Sequence, residues 1–493
     1  MTTLRRHRLV PAGWAIVLAG GTAVSLAAAG APLAAASTAS TSAQWTTLAL
    51  ALPAGAASNP RTTFGDVTCP GSTTCFAVGE YLRADGVAAG LIAARQGATW
   101  SSYKAPVPAG VPGSDGVGLS SVACADPTHC VAIGSYNDPA TRKGGVMLIS
   151  GSGSSWTAVP APLPAGAPNP GTSVQLNGLT CASTSSCVAV GYYYPSGATT
   201  PDDHGLVLSG YGRAWRATSA PMPPQSSGPP AISLQVATCP TSRQCLVFGQ
   251  YAEAGHPGTS PAMVLSGFGG AWTVKTLPLL SGPGVSSSYT DMHFYSAVCK
   301  TATSCLAVGD DQGSDTEGFI YSLSGSTWSV REAALPTGSS LAQAGQTVLF
   351  SGLACPSSTC LAAGNYNGAE PGTGFISQGS ALSWTSSAIS PPKSAYPKSA
   401  FSLAGLACES ASFCVVTGMY ATADRAGATA FVTGSGASWH VSVAPSPPAD
   451  GAKYADVNLF EVACSSSSCV AVGDYFTGAG SKAADEPVVD TLS

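Results

Sequence analysis

Ser121-Val122-Ala123-Cys124, Cys130-Val131-Ala132-Ile133-Gly134, Gly145-Val146-Met147-Leu148-Ile149 and Ser150-Gly151-Ser152-Gly153-Ser154-Ser155-Trp156 follow one another along the chain. Gly, Ser and Pro clusters break the apolar alternation between them, so each piece reads as a strand of one antiparallel meander. The fourth strand carries the Trp. Beyond the N-terminal segment, no stretch shows a helical period with caps.

The same unit recurs through the chain. Trp stands at 45, 100, 156, 215, 272, 328, 384 and 439, at steps of 55 to 59 residues. All 16 Cys fall into close pairs, one per unit: Cys69/Cys75, Cys124/Cys130, Cys181/Cys187, Cys239/Cys245, Cys299/Cys305, Cys355/Cys360, Cys408/Cys414 and Cys464/Cys469. Four strands per unit, eight units and no helices predict an all-β fold. It is an eight-bladed β-propeller of four-stranded antiparallel blades. A β-solenoid is the rival, but its repeats are shorter and lack a meander of hairpins. The last unit ends after Pro487-Val488-Val489-Asp490 without a Trp strand, while Trp45-Thr46-Thr47-Leu48-Ala49-Leu50 is a Trp strand without a unit. Pairing the two would complete the last blade from segments 43–53 and 456–493 and remove two open edges.

Charged residues are 9% of the 493, against a usual figure of roughly 25%. The net charge is −5 and no basic patch stands out, so counterion-release binding to nucleic acid is not expected. Residues 1–36 read as a secretory signal: Arg5-Arg6-His7-Arg8, an apolar run to about Ala29, and small residues Ala34-Ala35-Ala36 at the cleavage site. A retained N-terminal anchor is the alternative. Residues 37–42 are a Ser/Thr-rich mature N-terminus, and 43–493 form a single propeller domain. The mature chain is expected to be secreted, monomeric and without a membrane segment.

Each Cys pair has the spacing of a hairpin staple between the first and second strands of its unit. Zinc ligation would need two pairs brought together, and the export signal points to an oxidising compartment. Eight disulfides within units are therefore expected.

The turns before Trp, Ser150–Trp156, Ser-Gly-Tyr-Gly-Arg-Ala-Trp at 209 to 215 and Thr-Gly-Ser-Gly-Ala-Ser-Trp at 433 to 439, resemble the Asp-box turn of the sialidase-like (BNR-type) propeller superfamily. The V-A-V-G strand is also similar to photosystem II assembly-factor-like propellers. The Gly three residues before Trp is kept at Gly97, Gly153, Gly212, Gly269, Gly325 and Gly436, but the box Asp is absent; Gly151, Gly210 and Gly434 stand in its place. The resemblance implies the architecture and little about activity. Sialidases use an arginine triad, and the scattered arginines here suggest none. Quinone-dependent alcohol dehydrogenases share the blade number, but no adjacent cysteines exist here.

Two features carry functional expectations. A Tyr follows the V-A-V-G glycine by two residues at Tyr81, Tyr136, Tyr193, Tyr251, Tyr366, Tyr420 and Tyr475, with Asp311 in the fifth unit. These tyrosines should share a face with the long Pro/Gly connections, where a glycan or protein ligand would bind. The alternative is that each packs under its Pro-rich loop. The second feature is the acidic stretch Asp310, Asp311, Asp315 and Glu317, with Asp291 and His293 just upstream; it could hold Ca²⁺ or remain a solvated loop. No other cofactor is expected. The function expected is a non-catalytic extracellular binding or scaffold protein. The rival is a carbohydrate-active hydrolase or lyase, whose carboxylate pair would come from Asp138, Asp202, Asp203, Asp310, Asp311 and Asp474.

Overall fold

The computed structural model describes residues 44–492 apart from short stretches at 111–114, 139–142, 166, 168–172, 195–202, 225, 227–230, 254–258, 281–290, 313–315, 338, 340–346, 368–371, 424–426, 448–455, 467 and 478–483. The signal and the Ser/Thr-rich segment lie outside the described residues. So does Asp202, and Asp138 is described in its backbone alone.

Strands are numbered β1 to β32 along the chain. Among the described residues there is no helix, and none long and apolar enough to cross a membrane. The strands form antiparallel sets of four in the meander order of a β-propeller. The third set, for example, runs β10 (Ser173–Ser183), β11 (Ser186–Tyr194), β12 (His204–Tyr211) and β13 (Ala214–Ser219). A single parallel bridge, Thr373 to Phe401, joins the sixth and seventh sets into one eight-stranded sheet. In the last set β1 (Trp45–Ala49) pairs with β32 (Ala484–Leu492), Trp45 opposite Leu492 and Ala49 opposite Val488.

First strands of successive sets lie side by side. They are β2 (Thr63–Gly71), β6 (Asp115–Asp126), β10, β14 (Ile232–Thr241), β18 (Met292–Thr301), β22 (Val348–Ala354), β26 (Phe401–Ser410) and β30 (Val457–Cys464), and β30 also lies against β2. Cores form between neighbouring sets, because each second and third strand is apolar on both faces. Between the last set and the first, Val470, Val472 and Val489 pack with Leu50, Phe64 and Leu91.

All eight expected disulfides form within their sets. They are Cys69–Cys75, Cys124–Cys130, Cys181–Cys187, Cys239–Cys245, Cys299–Cys305, Cys355–Cys360, Cys408–Cys414 and Cys464–Cys469, with Cα atoms 3.9 to 4.1 Å apart. The two partners of each pair differ in depth. The second Cys of each pair is buried: Cys75, Cys130, Cys187, Cys245, Cys305, Cys360, Cys414 and Cys469. Cys245 packs with Val188, Val190 and Leu234 in the core between the third and fourth sets, and Cys414 with Leu361, Ala363 and Ile376 between the sixth and seventh. Cys187 has no exposed surface either. The reason is strand alternation: the second Cys points inward from an apolar second strand, while its partner on the first strand stays half-buried. These cysteines are therefore part of the frame, and none offers an accessible thiol or ligand position.

The turns before Trp are held by the indole: Trp156 Nε1 donates to the Gly153 carbonyl at 2.9 Å and Trp439 Nε1 to that of Gly436 at 3.0 Å. Gly153 has φ +52° and Gly436 φ +56°, a conformation that favours glycine. A Cβ on Gly151 or Gly434 would collide with the backbone of the fourth strand. In the first and fifth sets Arg95 and Leu323 hold that position.

Candidate functional site

Every first strand bulges at one repeat position. The register slips between Phe64 and Asp66, Leu119 and Ser121, Leu176 and Gly178, and Leu234 and Val236. It slips likewise between Phe294 and Ser296, Phe350 and Gly352, Leu403 and Leu406, and Leu459 and Glu461. The residue before each slip always pairs with the V-A-V-G glycine, for example Leu176 with Gly191 and Phe294 with Gly309. A Cβ on Gly191 would collide with the Gln175 carbonyl oxygen, and one on Gly309 with that of His293. The repeated glycine thus admits the incoming backbone that makes the bulge. The extra residue is freed from the ladder; the space alongside the neighbouring first strands is here called the bore. Ser120, Asn177, Tyr295 and Ser351 are exposed there.

A cavity of about 540 Å³ opens between the first strands of the second to fifth sets, lined by Ser121, Gln175, Asn177, Gln235, His293 and Tyr295 among others. Its polar wall is ordered by hydrogen bonds. Tyr192 Oη donates to Gln175 Oε1 at 2.6 Å, Gln175 Nε2 to Asn177 Oδ1 at 3.1 Å, and Asn177 Nδ2 to the Leu234 carbonyl at 2.8 Å. Gln235 Oε1 accepts the Phe294 N–H at 2.9 Å, tying the fourth set to the fifth. Tyr295 keeps 44% of its surface exposed.

Ser121, at one end of this cavity, donates to Asp66 Oδ2 at 2.7 Å. The same oxygen accepts the Val122 N–H at 2.9 Å, and Oδ1 accepts the Val67 N–H at 2.7 Å. Burial still pushes Asp66 up to about 6 against these donors. Glu461 is pushed up to about 8, first by burial and then by the charge of Asp66. Both side chains stay partly accessible, as expected for groups walled in by protein but open to a narrow bore.

At the fifth set the structure corrects the expected acidic loop. Asp310 and Asp311 end the strand β19 (Ser304–Gln312), and Asp311 pairs with Glu317 on β20 (Thr316–Ser324). Successive strand residues point to opposite faces, so the two carboxylates leave the strand on opposite sides rather than from one loop. Asp315 lies outside the described residues. Among the described residues, no group of three or more His, Cys, Asp and Glu side chains could hold a metal ion. Asp310 is fully buried, with the side chains of Tyr295 and Gln312 as its polar neighbours. Burial raises its pKa, and Tyr295 and His293 lie alongside. His293 Nε2 faces Asp291 Oδ2 at 3.5 Å. That carboxylate raises the His293 pKa, with Asp310 and Asp311 adding to it against the effect of burial.

The tyrosines also call for correction as a binding face. Tyr81, Tyr193, Tyr251, Tyr420 and Tyr475 are buried, and Tyr136 and Tyr366 are partly so. Their rings fill the gap beneath the connections: Ser339 donates to Tyr366 Oη at 3.0 Å, and Ser394 and Tyr420 hydroxyls lie 3.1 Å apart. In the fifth set, where Asp311 replaces the Tyr, the ring comes from the next strand. Tyr321 is buried and donates to the Pro278 carbonyl at 2.6 Å. Asp474, from the expected pool, is buried and accepts from Asn458 Nδ2 at 3.1 Å.

Sequence reasoning missed Asp66 and Glu461, although the signal was present. Three residues before the first Cys of each unit stand Asp66, Ser121, Gly178, Val236, Ser296, Gly352, Gly405 and Glu461. The two acids occur in the first and last units, whose first strands are neighbours.

No family model matches the chain, and no curated protein does. Solved structures similar to it include sialidase- and neuraminidase-like proteins and other β-propellers. The β-propeller domain of the Trilobed protease from Pyrococcus furiosus is 9% identical, over 79% of this chain and 97% of that one, with a TM-score of 0.42. The subtype N11 neuraminidase-like protein of A/flat-faced bat/Peru (H18N11) is 9% identical, over 76% of this chain and 86% of that one, with a TM-score of 0.34. A Trypanosoma rangeli sialidase in complex with 2,3-difluorosialic acid is 10% identical, over 91% and 58%, with a TM-score of 0.35.

Proposed function

We propose that the mature chain is a secreted, non-catalytic propeller of eight blades, closed by its N-terminal strand, that binds a small carbohydrate-type ligand in the bore. Closure is supported by the pairing of β1 with β32 and by the core shared between the first and last sets. Secretion is supported by the eight disulfides and the basic-then-apolar N-terminus. The observation that carries the binding reading is the cavity of about 540 Å³, walled by pre-ordered amides and an exposed Tyr295. Its size lies within the roughly 300–1,000 Å³ of small-molecule sites. Amides and hydroxyls match sugar hydroxyls, and an aromatic face matches the apolar side of a sugar ring.

Glycan-array screening followed by calorimetry tests this reading. A sugar ligand should lose about tenfold in affinity on Tyr295→Ala and on Gln235→Ala, changes that remove direct contacts. Retained affinity in both variants would move the site elsewhere. A glycoside-cleaving activity is the second reading. It is favoured by the unequal environments of Asp66, with three donors, and Glu461, with none, as an acid–base pair requires. Release of chromophore from aryl glycosides, abolished by Glu461→Gln, would establish it over pure binding.

A further inference from the structure

We propose that the bore holds a binding site for a protonated primary amine between Asp66 and Glu461. The inference rests on the reading of the bore as a ligand site and adds the charge of the ligand.

The argument comes from comparing one repeat position across two neighbouring junctions. Asp66 looks from β2 toward β6, where it meets the Ser121 hydroxyl and the Val122 N–H. Glu461 occupies the equivalent position on β30, which lies against β2. Repeat geometry offers it the equivalents of those two donors, Asp66 and the Val67 N–H. The first is itself a carboxylate, and the second is already donated to Asp66 Oδ1. Glu461 therefore meets an acid where Asp66 meets a hydroxyl, and among the described residues it has no hydrogen-bond donor. Asp66 is the one charged group that acts on it.

An ammonium supplies what is missing. It brings three N–H donors and a positive charge to two facing acceptors. In its presence the repulsion that keeps a proton on Glu461 is reversed. A divalent metal fits poorly, because Ca²⁺ wants six to eight oxygens and Asp66, with three donors on its roughly four lone-pair sites, has about one left, enough for a single N–H.

Two further observations point the same way. Asp310, beside the His293 and Tyr295 wall of the cavity that reaches Ser121, is a fully buried carboxylate. It stands opposite His293 on the neighbouring strand and so shares its face. Among the first strands of the sets, the one Lys or Arg is Lys300, at the turn end of β18. His293, just before the bulge of β18, faces Asp291 at 3.5 Å.

Calorimetry at pH 7 on the full, oxidised protein tests the inference with four probes: glucosamine, N-acetylglucosamine, glucose and putrescine. Glucosamine should bind about tenfold or more tighter than either neutral sugar, as loss of a charge-assisted bond implies. Glu461→Gln should weaken glucosamine by about the same factor and leave the neutral sugars unchanged. Asp310→Asn, which copies Asn365 at the equivalent place in the next set, should fold and weaken glucosamine about two- to threefold through the field across the bore. Neutral sugars binding as well as glucosamine would overturn the amine site and leave the carbohydrate reading standing. Putrescine binding with no sugar binding would keep the amine site and overturn the carbohydrate reading. Silence from all four probes, or unchanged glucosamine affinity in Glu461→Gln, overturns the amine site.

Discussion

Two junctions between neighbouring sets use the same repeat position in different ways. Between the sixth and seventh sets, Asn365 Nδ2 donates to the Leu403 carbonyl at 2.9 Å and its Oδ1 accepts the Leu403 N–H at 2.6 Å. That contact is neutral and satisfied in both directions. Between the last and first sets the equivalent residue is Asp474, which turns to Asn458 of its own set. Other side chains make contacts across that seam. Arg95 Nη1 donates to Ser468 Oγ at 3.0 Å, and the Asp485 N–H donates to Asn59 Oδ1 at 3.2 Å. Asp66 and Glu461 stand on the two first strands that meet there, and Asp490 is buried opposite Thr47 of β1. At this position the junction of the sixth and seventh sets carries a neutral amide, whereas the seam between the last and first sets carries Asp474 beside Asp66, Glu461 and Asp490.

The largest effect should come from breaking the seam strand itself. Trp45 stacks on Phe431 with ring centroids 3.6 Å apart, so Trp45→Ala should cost about 3–4 kcal/mol, near the lower end for aromatic truncations. Trp384→Ala, in an interior set, should cost about as much. Limited proteolysis separates them: the Trp45 variant should be cut near its N-terminus before global unfolding, and the Trp384 variant should not. Equal protection would mean that β1 is no weaker than an interior fourth strand.

Proton dependence comes next. Burial lifts Asp490 to about 7, Glu461 to about 8 and Asp66 to about 6 in the folded chain. Each is raised above its unfolded value, so the folded state binds more protons and stability falls as pH rises. The loss should run from about pH 4, the ordinary carboxyl range, to about 8, where Glu461 ionises. Thermal melts should therefore give a higher Tm at pH 5 than at pH 8.5. Asp490→Leu, matching Leu208 and Leu265 at the equivalent place, should remove much of that slope; an unchanged slope would remove Asp490 from the account.

Smaller effects sharpen the contrast. Asn365→Asp leaves the Leu403 carbonyl without a donor and should cost about 1–3 kcal/mol, giving an interior junction the pH slope of the seam. Ser468→Ala removes one partner of Arg95 and should cost about 1 kcal/mol by urea denaturation.

The strands and disulfides were legible in the sequence because Trp, Cys and the apolar runs recur at nearly fixed steps. Spacing gave the Cys partners but not their depth, since the burial of Cys187, Cys245 and Cys414 depends on the neighbouring set that packs over them. The site was not legible. Tyrosines repeated in nearly every unit suggested a surface, but a side chain that recurs with the frame belongs to the frame, and burial under the connections explains its recurrence. The reverse holds for Asp66 and Glu461. They break the repeat at a position where other units carry small or apolar residues, and only a column-by-column reading against the Cys would have isolated them. Asp310 and Asp311 read as one acidic loop because spacing alone does not show that the strand continues through both. The glycine of V-A-V-G was visible throughout. Its meaning needed the pairing partner, since a glycine in a strand marks a bulge only once the backbone pressing on it is known.

That bulge has a practical consequence. Residues such as Ser120, Asn177, Tyr295 and Ser351 sit outside the pairing ladder, while the neighbours that hold the frame are fixed by glycine, cysteine and tryptophan elsewhere in the unit. Tyr, Asn and Ser already occupy equivalent bulges in one molecule. A combinatorial library randomised at these extruded positions would vary the lining of the bore set by set without rewriting the scaffold. The eight small hairpin staples should let its members survive display and selection outside the cell.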